Sequence, residues 1–338
     1  MTQITLSDLP PPPPGRTGWP WTEASEPLPA TRPDGSQWPR ITIVTPSYNQ
    51  GEFIEETIRS VLLQGYPDLE YFIIDGGSSD NSIEIIKKYS KYLTYWQSQK
   101  DNGQPDAINI ALRRATGLWF HNVNSDDILI EGALFAIGSA PLDADNLLGE
   151  VIEFCGNKIH LVKNHNIDLK MLLHRISRSA EQSWHQPGVI FKSENLKKIG
   201  GYTTELQYTF DLHATCRYFE RFSNSFKMNK PIIRFRIHGN QKSSAWGDIF
   251  RTESIVCRLM LSKDLIQYEY RSLARFEAQR LNFLFQVVKL QSAETCDDAI
   301  GVIQSIVKEY PSLAIHRMLL GNFRRHPVNL LKFLSVLK

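Results

Sequence analysis

The chain has 338 residues, 42% of them hydrophobic and 22% charged, with a formal net charge of +2. That composition suits a globular protein with a sizeable core, and so small a charge excludes the dense basic footprint of a nucleic-acid binder. Cys155, Cys216, Cys257 and Cys296 stand far apart, which excludes a disulfide framework and a paired zinc motif and suits a reducing cytoplasm.

No basic stretch leads into an apolar run at the start, so no secretory signal is expected. No run of about 18 uninterrupted apolar residues is there to span a membrane.

Residues 1–39 form a Pro/Trp-rich arm, with Pro10 to Pro14 in a row and Trp19, Trp21 and Trp38. Proline at that density forbids a helix or a central strand. A disordered leader is one reading; the tryptophans, which need apolar surface to cover, favour an extended arm packed on the outside of the domain.

Regular structure then begins. Ile41–Thr45 is a β-branched strand ended by Pro46, Ser47–Gly51 a loop, and Glu52–Leu63 a helix with Phe53, Ile54, Ile58, Val61 and Leu62 at helical spacing. A strand at Tyr71–Ile74 ends in Asp75-Gly-Gly-Ser-Ser-Asp80, and a helix follows at about 81–90. A short strand near Leu93–Gln97, a helix over about 105–115 and a strand at Leu118–Val123 lead to Asn124-Ser-Asp-Asp127. This alternation predicts βαβ units, an α/β domain whose mostly parallel sheet is flanked by helices.

Residues 128–184 carry weaker signals: strands near 150–154 and 158–162 and a helix near 168–175. A strand at Gly188–Phe191, a helix opened by Ser193, the turn Gly200-Gly201, a helix over Leu212–Phe219 and a short strand before His238 come next. Helical periodicity dominates beyond about 250. Three parts result: the arm (1–39), a catalytic domain (40–250) and a helical extension (251–338).

In parallel α/β sheets, ligands bind outside the carboxyl ends of the strands. The clusters Thr45-Pro-Ser-Tyr-Asn49, Asp75–Asp80 and Asn124–Asp127 all fall at such ends, which points to one site. Adjacent carboxylates at Asp126 and Asp127 repel unless a cation or a donor network compensates, and hard cations such as Mg²⁺ or Mn²⁺ take oxygen ligands. Asp75 can accept charge-assisted hydrogen bonds from a ligand, or act as a turn residue ahead of Gly76-Gly77. Asp106 and Asp211 each stand near a helix start, where N-capping is the ordinary alternative.

The chain resembles glycosyltransferase family 2, of the GT-A fold, through TPSYNQGEFIEETIRSVLLQGYPDLEYFIIDGGSSDNS, DNGQPDAINIALRRATG and NVNSDDIL. The weaker stretches QPGVIFKSENLKKIGGY, LQYTFDLHATCRY and RFRIHGNQKS extend the resemblance over about residues 38–245. It implies an inverting transfer of a sugar from a nucleotide-diphosphate donor, a UDP- or dTDP-sugar, to a hydroxyl on a glycan or lipid-linked acceptor, with a Mn²⁺ or Mg²⁺ ion. The products would be polysaccharide, lipopolysaccharide or another glycoconjugate.

In its terms Thr45, Pro46, Tyr48 and Asp75 hold the nucleotide base. Asp101, Gly103, Asp106 and Asn109 contact nucleotide or donor sugar. Asn124 stands for the first acid of an Asp-any-Asp motif, Asp126 and Asp127 divide ribose and metal between them, with Asp127 and His238 placed on the metal and Asp126 on the nucleotide. Asp211 is the general base, with Phe210 where an acidic neighbour often stands. Arg236 and Lys242 are candidates to neutralise the diphosphate, and His185 and Gln186 to touch acceptor or donor sugar.

The C-terminal extension, ending in the apolar and basic run from His316 to Leu334, is either a helical cap or a segment lying on an anionic membrane. The expected location is therefore the cytoplasm, with peripheral contact at the inner face of the plasma membrane. A nucleotidyltransferase would want a Gly-rich, basic first loop, which TPSYNQGEF lacks; a dinucleotide oxidoreductase would want Gly-x-Gly-x-x-Gly after the first strand. A catalytically silent GT-A domain stays open because Asn124 and Phe210 replace acids.

Overall fold

The structure is a computed structural model describing residues 3–164, 167–174, 184–239, 241 and 248–291. The chain divides into two compact units, one comprising Met1–Ala245 with Asp264–Ile266 and the other Trp246–Lys263 with Gln267–Lys338.

The first unit is built on one sheet. Its strands are β1 (Ile41–Ser47), β2 (Leu69–Asp75), β3 (Tyr95–Ser98), β4 (Trp119–Asn122), β5 (Ile128–Leu129), β6 (Asn146–Cys155), β7 (Lys158–Val162), β8 (Val189–Lys192) and β9 (Ser225–Arg236). They lie in the order β3-β2-β1-β4-β8-β6-β9-β5, with β7 paired to β6. Strands β3, β2, β1 and β4 are mutually parallel. β8 runs against both β4 and β6, and β9 runs parallel to β6. Two reversals restore the direction, so β9 runs with β1, β2 and β4. Its carboxyl end therefore arrives at the same edge as theirs.

All of β1 is buried, as a strand sandwiched between helix layers must be. The helices of this unit are α1 (Ile54–Leu62), α2 (Ser82–Tyr89), α3 (Gln104–Arg114), α4 (Ala133–Gly138), α5 (Leu169–His174), α6 (Ser193–Lys198) and α7 (Phe210–Arg221). α3 opens with Gly103 at its N-cap and Pro105 in its first turn, and closes with Arg113 and Arg114, the polarity a helix dipole favours.

Strand β1 runs through Pro46 rather than stopping before it. Its odd positions bond toward β2 (Ile41 N–H to Asp68 O, Gly76 N–H to Ser47 O) and Val44 accepts from Val123 on the β4 side. Pro46 thus turns its missing donor toward β4, whose pairing has ended at Val44, and costs no ladder bond. β9 spans twelve residues where a short strand was expected. Asn229 has φ +52° and the register against β6 shifts between Leu148 and Val151, a bulge that breaks the alternation by which strands are recognised.

The arm belongs to the first unit. Leu9 and Trp38 join its core cluster and Trp21 is buried. Arg59 of α1, 1% exposed, donates to the carbonyls of Pro10 (2.8 Å), Pro20 (3.0 Å) and Trp21 (2.9 Å). Proline-rich chain has few N–H groups of its own, so its carbonyls need an outside donor.

The second unit contains α8 (Asp248–Asp264, its last residue falling in the first unit) and α9 (Tyr268–Gln291). They bury Cys257, Leu261, Ala274 and Ala278. Among the described residues no helix is long and apolar enough to cross a membrane.

Candidate active site

The loops leaving β1 and β2 are sewn together. Asn49, at φ +51°, donates its N–H to Ser78 Oγ (2.8 Å) and accepts from Ser79 N–H (2.8 Å) at its side chain. Gln50 N–H reaches Ser82 Oγ (2.9 Å) and Gly51 N–H reaches Asp80 Oδ2 (2.9 Å). A Cβ on Gly51 would lie 1.7 Å from Asn81 Oδ1, so the two loops approach as closely as glycine allows.

Asp75, at the end of β2, is fully buried. Its Oδ2 accepts from Gly77 N–H (3.1 Å), Ser78 N–H (2.9 Å) and Ser98 Oγ (2.7 Å), and its Oδ1 from Ser78 Oγ (2.5 Å). A carboxylate has about four acceptor sites, so as it stands this side chain orders its own loop. Thr45 is likewise interior, its hydroxyl 3.0 Å from Tyr71 OH, and Pro46 is buried. Tyr48, by contrast, is 62% exposed.

Asp101 accepts from Gly103 N–H (2.8 Å) and packs its carboxyl against Gly76, where a Cβ would be 3.2 Å away. This brings the loop before α3 onto the loop after β2. Gly103 has φ +93° and faces Gln207, whose amide donates to Asn102 O (3.1 Å). Asp106 accepts from the backbone and side-chain amides of Asn102 (both 3.2 Å). Asn109 has its partners within the chain. Its Nδ2 donates to Tyr202 O (2.7 Å) and its Oδ1 accepts from Tyr202 N–H (3.0 Å), so it pins the Gly200-Gly201-Tyr202 turn to α3.

At the end of β4 the two aspartates part company. Asp127 is fully buried, its oxygens taken by Arg236 N–H (3.1 Å) and Asn124 Nδ2 (3.0 Å). Burial first, and the neighbouring Asp126 charge second, push its carboxyl well above the usual carboxylate range. Asp126 Oδ2 instead lies 2.9 Å from His238 Nε2, with both side chains about 15% exposed. The carboxylate that meets His238 is therefore Asp126, while Asp127 accepts one hydrogen bond on each oxygen from within the protein. Of Asp75, Asp126 and Asp127, expected to line one crevice together, Asp126 alone reaches solvent.

Several residues that the sequence singled out around this pair take partners within the protein. Asn124 Oδ1 accepts from Gln104 Nε2 (2.8 Å) and Asn122 Nδ2 (3.1 Å), so the residue replacing an acid is the hub of an amide network joining α3 to the aspartate loop. Arg236 is committed to protein partners: Nη2 to Glu56 (2.8 Å) and Nε to Asp126 O (2.9 Å). Lys242 lies outside the described residues. His185 is buried with Nε2 2.8 Å from Glu153, and Gln186 meets Asn122 (3.4 Å).

Asp211 sits in the first turn of α7, where its Oδ1 accepts from the adjacent Leu212 N–H (2.7 Å). Its charge, after burial, is what raises the Tyr202 phenol. It is half-buried, at the end of the loop that Asn109 and Gln207 tie to α3.

A carboxylate oxygen and an imidazole nitrogen this close, both partly open to solvent, suit a Mn²⁺ or Mg²⁺ ion that keeps waters and takes phosphate oxygens for its other positions. Among the described residues no third His, Cys, Asp or Glu joins them in a metal cluster.

A sheet with these crossovers and polar loops gathered at one edge is the GT-A fold of sugar-nucleotide transferases. Residues 42–224, just over half the chain, match the family described as Glycosyl transferase family 2, and the chain belongs to that family. An uncharacterized glycosyltransferase of Rickettsia prowazekii is 25% identical over 222 residues, covering 61% of this chain and 66% of the relative, slightly under two thirds of its length. A putative teichuronic acid biosynthesis glycosyltransferase of Bacillus subtilis is 36% identical over 94 residues, 26% of this chain and 36% of its own. The structure of S. aureus TarS 1-349 with UDP-GlcNAc superposes with a TM-score of 0.60 at 17% identity, covering 80% of this chain and 81% of that one. Mannosyltransferase PcManGT from Pyrobaculum calidifontis, solved with GDP-Man and Mn2+, gives 0.51 at 16% identity, covering 93% and 89%.

Proposed function

We propose that this chain is an inverting glycosyltransferase that moves a sugar from a UDP- or dTDP-sugar to a hydroxyl of a glycan or lipid-linked acceptor, in the synthesis of a cell-surface polysaccharide or glycoconjugate. The observation that carries the reading is the Asp126–His238 pair at an edge where the loops after β1, β2 and β4 and the end of β9 come together.

Asp126 and His238 would hold a Mn²⁺ or Mg²⁺ ion. Such an ion supplies a Lewis acid that stabilises the charge of a departing nucleoside diphosphate. The chain's own residues do the rest. Tyr48 offers an exposed ring to cover the base, and Asp75 orders the loop on which the base would rest. Asp101, Gly103 and Asp106 border the ribose and sugar side, and Asp211 takes the proton of the acceptor hydroxyl as it attacks the anomeric carbon. Asp211 stands in the first turn of α7, where the partial positive charge of a helix N-terminus meets a carboxylate.

Neighbours of the same fold bind UDP-GlcNAc or, with Mn2+, GDP-Man, and sequence relatives are described by teichuronic acid biosynthesis and by poly-beta-1,6-N-acetyl-D-glucosamine synthesis. These support a cell-surface glycan as product, whose lipid-linked acceptor would place the reaction at the inner face of the plasma membrane. Ile249, Val256 and Leu259, exposed along α8, favour peripheral contact with it.

A thermal-shift panel of UDP-, dTDP- and GDP-sugars with and without Mn²⁺ tests the proposal. A uridine- or thymidine-selective shift that needs Mn²⁺ and is lost in Asp126→Asn supports it. An equal shift in the variant removes the cation site. Asp211→Asn should keep the shift and lose transfer; retained turnover removes Asp211 as base.

A further inference from the structure

We infer that Arg236 and Glu56 are positioning residues for the Asp126–His238 pair, acting as one ion pair that fixes both halves; this rests on the cation site proposed above. Four hydrogen bonds of Arg236, and a fifth from His238 to one of its partners, carry the inference. The Arg236 guanidinium donates from Nε to the carbonyl of Asp126 (2.9 Å) and from Nη2 to Glu56 Oε2 (2.8 Å). Its backbone N–H donates to Asp127 Oδ1 (3.1 Å). Its carbonyl accepts from Gln241 Nε2 (3.0 Å), and Gln241 Oε1 in turn accepts from His238 N–H (3.0 Å). One side of Arg236 therefore grips the backbone of the aspartate loop, and the other sets the peptide that carries His238.

The support is anchored to a rigid element. Glu56 lies in the first turn of α1, and the next residue, Thr57, shares its hydroxyl proton between the carbonyls of Ser125 (3.0 Å) and Asp127 (2.7 Å). Phe53, at the start of the same helix, has the His238 ring 4.7 Å from its own and the Arg236 guanidinium 4.9 Å from its centroid. Cation–aromatic and ring contacts of this kind hold planar groups in orientation. Arg236 and Glu56 are both less than one-fifth exposed, so the ion pair is shielded from the screening that makes surface pairs weak. Lysine cannot reproduce it: its ammonium has three donors on one flexible point charge, without the planar fork whose Nε and Nη2 reach two separate acceptors in fixed directions.

The test titrates the full chain with Mn²⁺ in the presence of UDP, dTDP or GDP, reading free Mn²⁺ by electron paramagnetic resonance, for wild type, Arg236→Lys, Glu56→Gln and the double variant. Melting temperatures are recorded in parallel without metal. We expect each single variant to weaken Mn²⁺ binding about tenfold with the metal-free melting temperature nearly unchanged. The double variant should lose no more than the worse single, because residues that act through one contact are non-additive. Wild-type affinity in both singles, or losses that multiply in the double and track a fall in melting temperature, overturns the inference and leaves the cation site standing. Wild type that binds no Mn²⁺ with any of the three nucleotides overturns the site and the inference together.

Discussion

Replacing Arg59 with methionine should loosen the N-terminal arm from the domain it straps. The side chain is 1% exposed and gives three hydrogen bonds to arm carbonyls, those of Pro10, Pro20 and Trp21. It also donates to Tyr89 OH (3.2 Å), which keeps its own bond to Glu55 (2.7 Å). Methionine preserves length and apolar bulk, so the loss is polar. Each buried carbonyl left without a donor costs about 1–3 kcal/mol, partly offset by no longer burying a guanidinium. The net effect is about 3–5 kcal/mol. At about 2–4 °C per kcal/mol for a unit of this size, the melting temperature falls by roughly 10 °C. Circular dichroism measures that fall, and limited proteolysis should show cleavage within residues 3–39 before the rest of the chain. A shift under about 2 °C with an uncleaved arm would refute the claim that Arg59 holds it.

Other substitutions have equally definite outcomes. His121 is fully buried, donating from Nε2 to Pro187 O (2.7 Å), and burial lowers its pKa from 6.5 to about 4. The unfolded chain takes up a proton below pH 6.5 that the folded one refuses until about pH 4, so stability falls across that window by about 3 kcal/mol and no further below it. In denaturant melts His121→Gln should remove that slope; an unchanged slope would place the acid sensitivity elsewhere. Gly103→Ala forces φ +93° on a residue with a Cβ, costing about 1–3 kcal/mol, and pushes that Cβ to 2.2 Å from Gln207 Oε1. Calorimetry should then find nucleotide binding weakened about tenfold. Asn109→Ala strips the Tyr202 backbone of two bonds and should cost about 2 kcal/mol in thermal melts while leaving nucleotide affinity within about twofold, separating its turn-pinning role from ligand contact.

The strand edge was legible from residues because β-branched runs such as Ile41–Val44 give way to polar loops with glycine, a pattern that local chemistry dictates. β7 was readable for the same reason. β5, with two residues, is shorter than any periodicity can register, α4 is an apolar run with no polar face to mark a helix, and the bulge at Asn229 hid most of β9. At the site, the acid-rich loops could be located but not the direction in which each carboxylate turns. That direction is a tertiary matter: Asp75 and Asp127 face inward because loop N–H groups, Ser98 and Arg236 converge on them from other strands. The same limit hid Glu56, an ordinary helix residue until Arg236 arrives from 180 positions away.

Electron spin-echo spectroscopy of Mn²⁺ bound with UDP interrogates the ligand set at its atoms. A cation seated on Asp126 and His238 and bridged to the nucleotide predicts coupling to an imidazole nitrogen and to phosphorus, with the nitrogen coupling lost and the phosphorus coupling kept in His238→Gln. Phosphorus coupling with no nitrogen in the unaltered protein would contradict the account.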